Sequence, residues 1–507
     1  MKGVYWLKKD FRLLDNPVLT KVLKNCKEVL VIYILEPEMI AAGETSAFHL
    51  KAINTAFNEF QKNISEKGGQ ATWVEGNAID VLSKVFEFGG YNQLYSHIEI
   101  GVDRTYKRDL AVKELVKKYG VEWIEENQTG VFRKLTDRDK RAKIWQKFYT
   151  QTPHKIPTNR SLKKVIVPEV LQDYLRADSL EMPVLNRLKL DKESNLQLCT
   201  ESAALDTLDS FLNIRGEKYS GGISSPNTAL IHGSRLSIHL AWGTISPRVA
   251  YQKTLEKKEE YKSIGTTESK KWVRSLTAFT ARLHWRDHFI QRLESEPQME
   301  FAPLNSAYEE VNYDATKEMI NAWTYGTTGF PMVDACIRCL RQTGFVNFRM
   351  RAMLTSFGCH VLHIDWRTLD HLMARMYTDY EPGIHLSQLQ MQAGVVGINT
   401  IRIYNPHKQL LDQDPDCVFV KEWIPELKQY DCETIQEHRL EPLGDYPGQI
   451  VDYVTHSKTM RSQLWSIKMR KTTKAIANDV YQKHGSRKSP KKRKTVKKSK
   501  DNIKQSS

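Results

Sequence analysis

Over its first 130 residues the chain alternates short β-branched, apolar runs with longer segments of helical period. Val4–Leu7, Val29–Ile34, Ala71–Val74, Gln93–Ser96 and Val121–Ile124 read as strands. Between them, Phe48–Lys62 and Tyr106–Lys118 have the periodicity and length of helices. β and α units of this size, repeated in this order, fold as a parallel, doubly wound sheet. That pattern then stops. Residues from Gly130 to Thr200 are polar, proline-bearing and weakly periodic, and read as a long connection over the surface.

From Ala203 to Tyr481 strand signals nearly vanish. Helical segments follow one another instead: Leu236–Trp242, Lys271–Leu293, Val333–Gln342, Phe348–Leu362 and Leu369–Met376, separated by breaks such as GTTGFP at 326–331. The expected fold class is α/β followed by all-α. The boundaries are an α/β domain over 1–130, a connection over 131–202, a helical domain over 203–481 and a basic tail over 482–507. No segment repeats at a fixed period, which argues against a solenoid.

Charge divides the chain as sharply as periodicity does. The 507 residues carry 75 Lys+Arg against 60 Asp+Glu, a formal +15. Such a balance points to a polyanionic partner, nucleic acid before an anionic membrane. Arg487–Ser507 alone holds ten Lys/Arg and one Asp, a net +9, which leaves +6 for everything else. With almost no apolar residues the tail cannot bury a core, and it reads as a disordered, salt-sensitive tether for DNA. The PKKRK within it would suit nuclear import in a eukaryote. Seven cysteines at irregular spacing do not form a secreted disulfide framework. The start, MKGVYWLKKDFRLLDN, meets charge too early for a signal peptide. No run approaches the roughly 18 apolar residues of a membrane span. The expectation is a soluble intracellular protein, cytoplasmic and nucleoid-associated in a bacterium or nuclear in a eukaryote.

Three segments could carry chemistry. GSRLSIHLAWGTISPR (233–248) puts small hydrogen-bonding residues before an amphipathic stretch. The Ser234 and Ser237 hydroxyls, Arg235 and free backbone N–H groups there suit a phosphate; on spacing alone an ordinary serine cap is the commoner reading. FTARLHWRDHFIQRL (279–293) places Arg282, Trp285 and Arg286 within about one helical turn. An aromatic beside arginines suits stacking on a base and contacting phosphates, and the alternative is a core Trp flanked by solvated charges. In GFVNFRMRAMLTSF (344–357), Arg349 and Arg351 sit among apolar neighbours, so they need carboxylate partners, for which Asp379 and Glu381 in YTDYEPGIH are candidates. Cys336 and Cys339 form a CxxC, but inside a helical run and with no second CxxC. They read as one half-buried helix face, and no metal is expected. There is no Walker-type loop, no HExxH and no GxGxxG after the first strand.

Taken together and in order, these motifs resemble the photolyase/cryptochrome family over nearly the whole folded length. VYWLKKDFRLLDNPVL (4–19) is similar to the family's opening strand and turn. The 233–248 segment is similar to its flavin-phosphate segment. LHWRDHF, WTYGTTGFPMVDACIRCLRQTG (323–344), the Arg349/Arg351 helix, IDWR (364–367), IRIYNPHKQ (401–409) and KEWIPEL (421–427) follow in family order. The resemblance implies an antenna-type α/β domain, a helical domain binding FAD, and a folate- or deazaflavin-type antenna chromophore as an open question. It implies light-driven splitting of cyclobutane pyrimidine dimers in DNA, single- or double-stranded, by a deoxyribodipyrimidine photolyase acting as a monomer. The alternative it carries is a cryptochrome-type blue-light photoreceptor without repair. The match assigns Tyr219, Ser234, Arg235, Leu236 and Ser237 to the FAD phosphates and ribityl, and Arg351 and Asp379 to paired charges beside the isoalloxazine. Trp285 falls where the family stacks an aromatic on the lesion, with Arg282, Arg286 and Met391 as further DNA contacts.

Departures from the family pattern are as specific. Arg282 stands where common repair classes carry Glu. Phe348 stands where they carry Asn, with Asn347 one position earlier. Counting from Asp379, the flavin-N5 position falls on His385, the flavin-proximal Trp on Leu389 and the second lesion-contacting Trp on Met391. The middle Trp of the electron chain is Trp366, and the outermost aromatic is Tyr313. His385, Trp366, Trp285 and Arg282 are thus the expected catalytic group. SQLQM replaces GGWQW. The paired His of the (6-4) class is absent, and the cysteine spacing does not fit the iron–sulfur branch.

Overall fold

The computed structural model describes residues 1–135, 137–176 and 195–485. The basic tail from residue 486 on and part of the connection therefore lie outside the described residues, while residues 482–484, expected in the tail, complete the Lys471–His484 helix. Five strands, β1 (Lys2–Leu7), β2 (Glu28–Leu35), β3 (Ala71–Glu75), β4 (Gln93–His97) and β5 (Glu122–Glu126), form one sheet in the order β3-β2-β1-β4-β5. Every neighbouring pair is parallel, with Val4 opposite Leu30 and Ile32 opposite Thr72. Because side chains alternate along a strand, each strand feeds two cores. Tyr5, Leu7, Val29, Val31 and Tyr33 pack one face against Val18, Leu19, Phe57 and Phe60. Val4, Trp6, Leu30, Ile32 and Ile34 pack the other against Val81, Leu82, Val85 and Leu115. The doubly wound sheet expected from periodicity is the one observed.

In such a sheet the crevice between β1 and β4, where strand order reverses, opens at the carboxyl ends of the strands. Trp6, Lys8, Glu36 and Glu99 line it from the sheet, and Trp242 and Tyr380 from the helical half. Its free volume is about 130 Å³. That is below the roughly 300 Å³ at which pockets for drug-sized ligands begin.

The connection differs from expectation. Its Arg141–Tyr149 helix is built into the helical half, with Trp145, Phe148 and Tyr149 buried among Leu208, Tyr251 and Leu276. Trp145 Nε1 and Tyr149 Oη both donate to Asp287 Oδ2, at 2.9 and 2.7 Å. A helix of nine residues is too short for its apolar face to register as a period in a polar stretch.

Two helices position the site. Thr267–Ser295 runs 29 residues from the Thr266 cap, whose side chain accepts from Ser269 N. Pro382–Ala393 lies against it, and Gly383 permits the approach, since a Cβ there would meet Ile290 Cα at 2.5 Å. Behind them Trp323, Phe357, Trp366 and Leu389 belong to the main helical core.

Candidate functional site

Arg351 emerges near the start of the Phe348–His360 helix, and Asp379 lies in the turn before Pro382–Ala393. They meet in a fork: Arg351 Nη1 to Asp379 Oδ1 at 2.9 Å and Nη2 to Oδ2 at 3.0 Å. Arg351 Nε donates to Val346 O, and its guanidinium lies 4.2 Å from the Tyr377 ring centre. Burial works to raise the Asp379 carboxyl. The charge and hydrogen bonds of Arg351, with Ser237 and Arg235, outweigh it and hold the carboxyl below its ordinary range. The other half of the expected pairing is corrected. Glu381 faces Arg286, at 3.6 Å, and not Arg349, whose buried Nε has no hydrogen-bond partner.

The 233–237 turn faces this pair. Arg235 adopts a left-handed φ of 59°, which costs a non-glycine residue energy and marks a functional turn when the surroundings impose it. Its guanidinium sits 3.9 Å over Phe345, the ring that also lies 5.3 Å from the Arg351 guanidinium. Arg235 Nη1 is sealed from solvent without a partner, and burial pulls the group down to about 10. The serine-cap reading does not hold. The Ser237–Trp242 helix is capped by buried Leu236 with no side-chain bond, while Ser234 Oγ accepts from Leu236 N. Tyr219 is buried beside Phe211 and Phe279. Burial raises its hydroxyl to about 12, against the pull of a hydrogen bond from Arg282.

These residues fit an anionic, phosphate-bearing cofactor by what they leave unsatisfied. Arg235 Nη1 is a buried donor without a protein partner, and the acid nearest it, Asp379, is already claimed by Arg351. Buried polar groups are otherwise almost always bonded. Asn347 itself caps its helix from outside the ladder, donating to Ile223 O and Ser224 O.

On the Thr267–Ser295 helix the expected triad separates. Trp285 is 43 % exposed, resting on Phe289 at 5.7 Å and edge-on to His288 at 5.2 Å. That excludes the core-Trp reading. Arg282 is exposed one turn away. Arg286 turns inward instead, bonding Asp287 Oδ1 at 3.0 Å and Leu240 O at 3.0 Å. Its expected DNA contact is corrected to an internal ion pair, because buried Asp287 and Glu381 need a cation. Met391 is half-buried, its sulfur 3.6 Å from Arg292 Nη1.

His385 places Nε2 2.9 Å from Asp370 Oδ1 and packs on Tyr377 and Tyr380. The Tyr377 ring lies between it and Arg351, 5.9 Å from the imidazole and 4.2 Å from the guanidinium. Leu389 and Trp366 are both in the core, 2 % and 1 % exposed. Tyr313 packs on the same core, its hydroxyl buried and unpartnered. Sequence reasoning missed Phe345, Tyr377 and Arg292, for aromatic and cationic residues at a helix end carry no motif of their own. Cys336 and Cys339 lie on the buried face of Pro331–Thr343, where Cys339 Sγ reaches Thr343 Oγ1 and Phe345 O at 3.6 Å. Among the described residues no three His, Cys, Asp or Glu side chains gather as a metal site. Nor is any described helix long and apolar enough to cross a membrane.

Known proteins resemble this chain over most of its length. Residues 3–162 match the DNA photolyase family model, and residues 279–466 match the FAD binding domain of DNA photolyase. A deoxyribodipyrimidine photo-lyase of Synechococcus sp. is 22 % identical over 476 residues, spanning 90 % of this chain and 95 % of its own. A cryptochrome DASH of Natronomonas pharaonis is 24 % identical over 486 residues, spanning 89 % and 98 %. The archaeal photolyase of Sulfolobus tokodaii, solved with two FAD molecules, superposes with a TM-score of 0.75 at 24 % identity, covering 92 % of this chain and all of that one. The cofactor is FAD, and with both of its halves matched in order the chain belongs to the photolyase/cryptochrome family.

Proposed function

We propose that the protein is a light-driven DNA repair enzyme that splits cyclobutane pyrimidine dimers, working on DNA as a monomer. The observation that carries this reading is the exposed Trp285 ring, braced by Phe289 one turn from the exposed Arg282. An aromatic face beside a cation suits an unstacked base and its phosphate. A dimer is already distorted, so turning it out of the stack costs less than for a normal pair.

Tyr219, Ser234, Arg235, Leu236 and Ser237 would hold the FAD phosphates and ribityl, with Arg351 and Asp379 beside the ring system. Once bound and reduced, the flavin supplies the light-excited electron. This chain's contribution is binding, orientation and a dry pocket. Asp379 fixes the Arg351 guanidinium in one plane through two bonds, so a positive group faces the ring without moving. Leu389 excludes water and cannot relay charge. Trp366, and Tyr313 beyond it, are the aromatic residues left for refilling the flavin.

A second reading, a blue-light photoreceptor without repair, is favoured by one observation. Met391 turns its sulfur to Arg292 where a second aromatic wall would face Trp285. Incubating flavin-reduced protein with thymine-dimer DNA under blue light separates the two. Loss of dimers is expected; dimers that persist with the flavin fully reduced would leave the photoreceptor.

A further inference from the structure

Beyond Trp285 the same helix carries a second feature. His288 and Arg292 continue its stripe into a cavity of about 340 Å³, closed on the other side by Arg138, Arg141, Lys483 and His484. The cavity is strongly cationic, and Glu296 is the one carboxylate on its wall. That carboxylate is taken: Lys483 Nζ lies at 3.0 Å and His484 Nε2 at 3.4 Å. Both contacts hold Glu296 down to about 2, the bond from His484 first.

Arg292 is 5 % exposed and has no carboxylate among its partners. Its two terminal nitrogens meet only the Met391 sulfur at 3.6 Å and His288 Nε2 at 3.4 Å, and its Nε is buried without a partner. Arg141, 8 % exposed, likewise keeps a buried Nε without a partner. A buried guanidinium left unpaired costs several kcal/mol unless something anionic reaches it. Burial pulls Arg292 to about 10 and His288 to about 2, so the imidazole beside it is neutral and adds no competing charge.

The row Trp285, His288, Arg292, Met391 is continuous, each within contact of the next. We infer that this cavity is a phosphate pocket, in which Arg292 and Arg141 receive one backbone phosphodiester of the DNA strand flanking the base stacked on Trp285. The inference rests on the DNA-repair reading for its strand, though not for its anion. It assigns sequence-independent grip to a site next to the lesion platform, where register and not base identity is fixed.

The test is made in the dark, so that it does not depend on repair. Inorganic phosphate should raise the melting temperature of the wild-type holoprotein and leave Arg292→Met unmoved. A dimer-bearing oligonucleotide should bind Arg292→Met about tenfold or more weakly, as loss of a charged hydrogen bond implies. Neutralising flanking phosphates one at a time as methylphosphonates should reveal one position that weakens the wild type and not the variant. Arg292→Lys, which keeps the charge, should fall between them and guards against misfolding of the Met variant. If phosphate does not stabilise the wild type, the pocket is overturned. If it does, but no single flanking phosphate couples to Arg292, the strand assignment is overturned and the pocket serves a free phosphate. Dimers persisting under light while this coupling stands would remove the repair reading alone.

Discussion

In the α/β half, Lys8, Arg108 and Arg133 close on Asp109, Glu36, Glu99 and Glu125 in one buried network with contacts of 2.6 to 3.3 Å. In the helical half, Arg235, Arg349 and Arg292 each keep a guanidinium nitrogen buried and unpartnered. Arg108 in one half gives its guanidinium to acids, while Arg235 and Arg292 in the other bond no carboxylate. Arg104 of the α/β half also keeps a buried Nε without a partner, but Glu44 takes its charge. A closed network specifies how the sheet and its helices dock. An open one leaves positive charge for something the chain does not contain. Under the proposed function the cofactor's phosphates would take the charge of Arg235, and the difference teaches that buried cations locate ligands best where their own acids run out.

The comparison breaks most visibly through its acids. Asp109→Ala strands Lys8, whose side chain is 3 % exposed, and should cost about 3–5 kcal/mol of folding stability. Flavin content per folded molecule should not change. Asp379→Ala strands Arg351 at the open side and should lower flavin content as well. Urea unfolding together with the ratio of flavin to protein absorbance measures both. Equal loss of flavin in the two variants would show that the halves are not divided in this way.

A smaller effect is expected at Trp285. Because 43 % of the residue is exposed, Trp285→Ala should leave unfolding nearly unchanged while weakening dimer-bearing DNA by about 1–3 kcal/mol. Binding isotherms with damaged and undamaged strands decide it. An unchanged dissociation constant would move the DNA contact to the phosphate pocket alone.

How much of this was legible follows from what repeats along a chain. All five strands and their parallel order class were readable, because period and β-branching are local signals. That Arg349 and Arg351 need an acid such as Asp379 or Glu381 was readable from burial, and the choice of Arg351 with Asp379 came from the family resemblance. Arg286 was misread as a DNA contact because its partners, Asp287 beside it and Glu381 almost a hundred residues on, lie on the side of the helix that spacing alone left unassigned. His385 was placed by counting, and counting cannot see that Asp370, on the preceding helix, lies within 2.9 Å. The Arg292 pocket was invisible because its walls come from the connection, the long helix and the last described helix. No sequence window holds all three.

The smallest predicted effect lies where the halves meet. His49, on the Ala47–Ser65 helix, is buried, bonds Tyr377 O through Nε2 at 2.8 Å and packs between Trp242 and Tyr380. Burial lowers it to about 4, resisted by that carbonyl. In the unfolded chain it binds a proton near pH 6.5. Between about 6.5 and 4 the unfolded state therefore holds the extra proton, and stability rises with pH across that window. The contribution of His49 is whole above about pH 6.5 and is lost as the pH falls toward 4. His49→Asn should flatten the decline of melting temperature over that interval, relative to wild type, and leave the Arg351–Asp379 side with its flavin. A wild-type slope kept intact in the variant would assign the pH dependence to other buried histidines, of which His239 and His360 are lowered to about 4 in the same way.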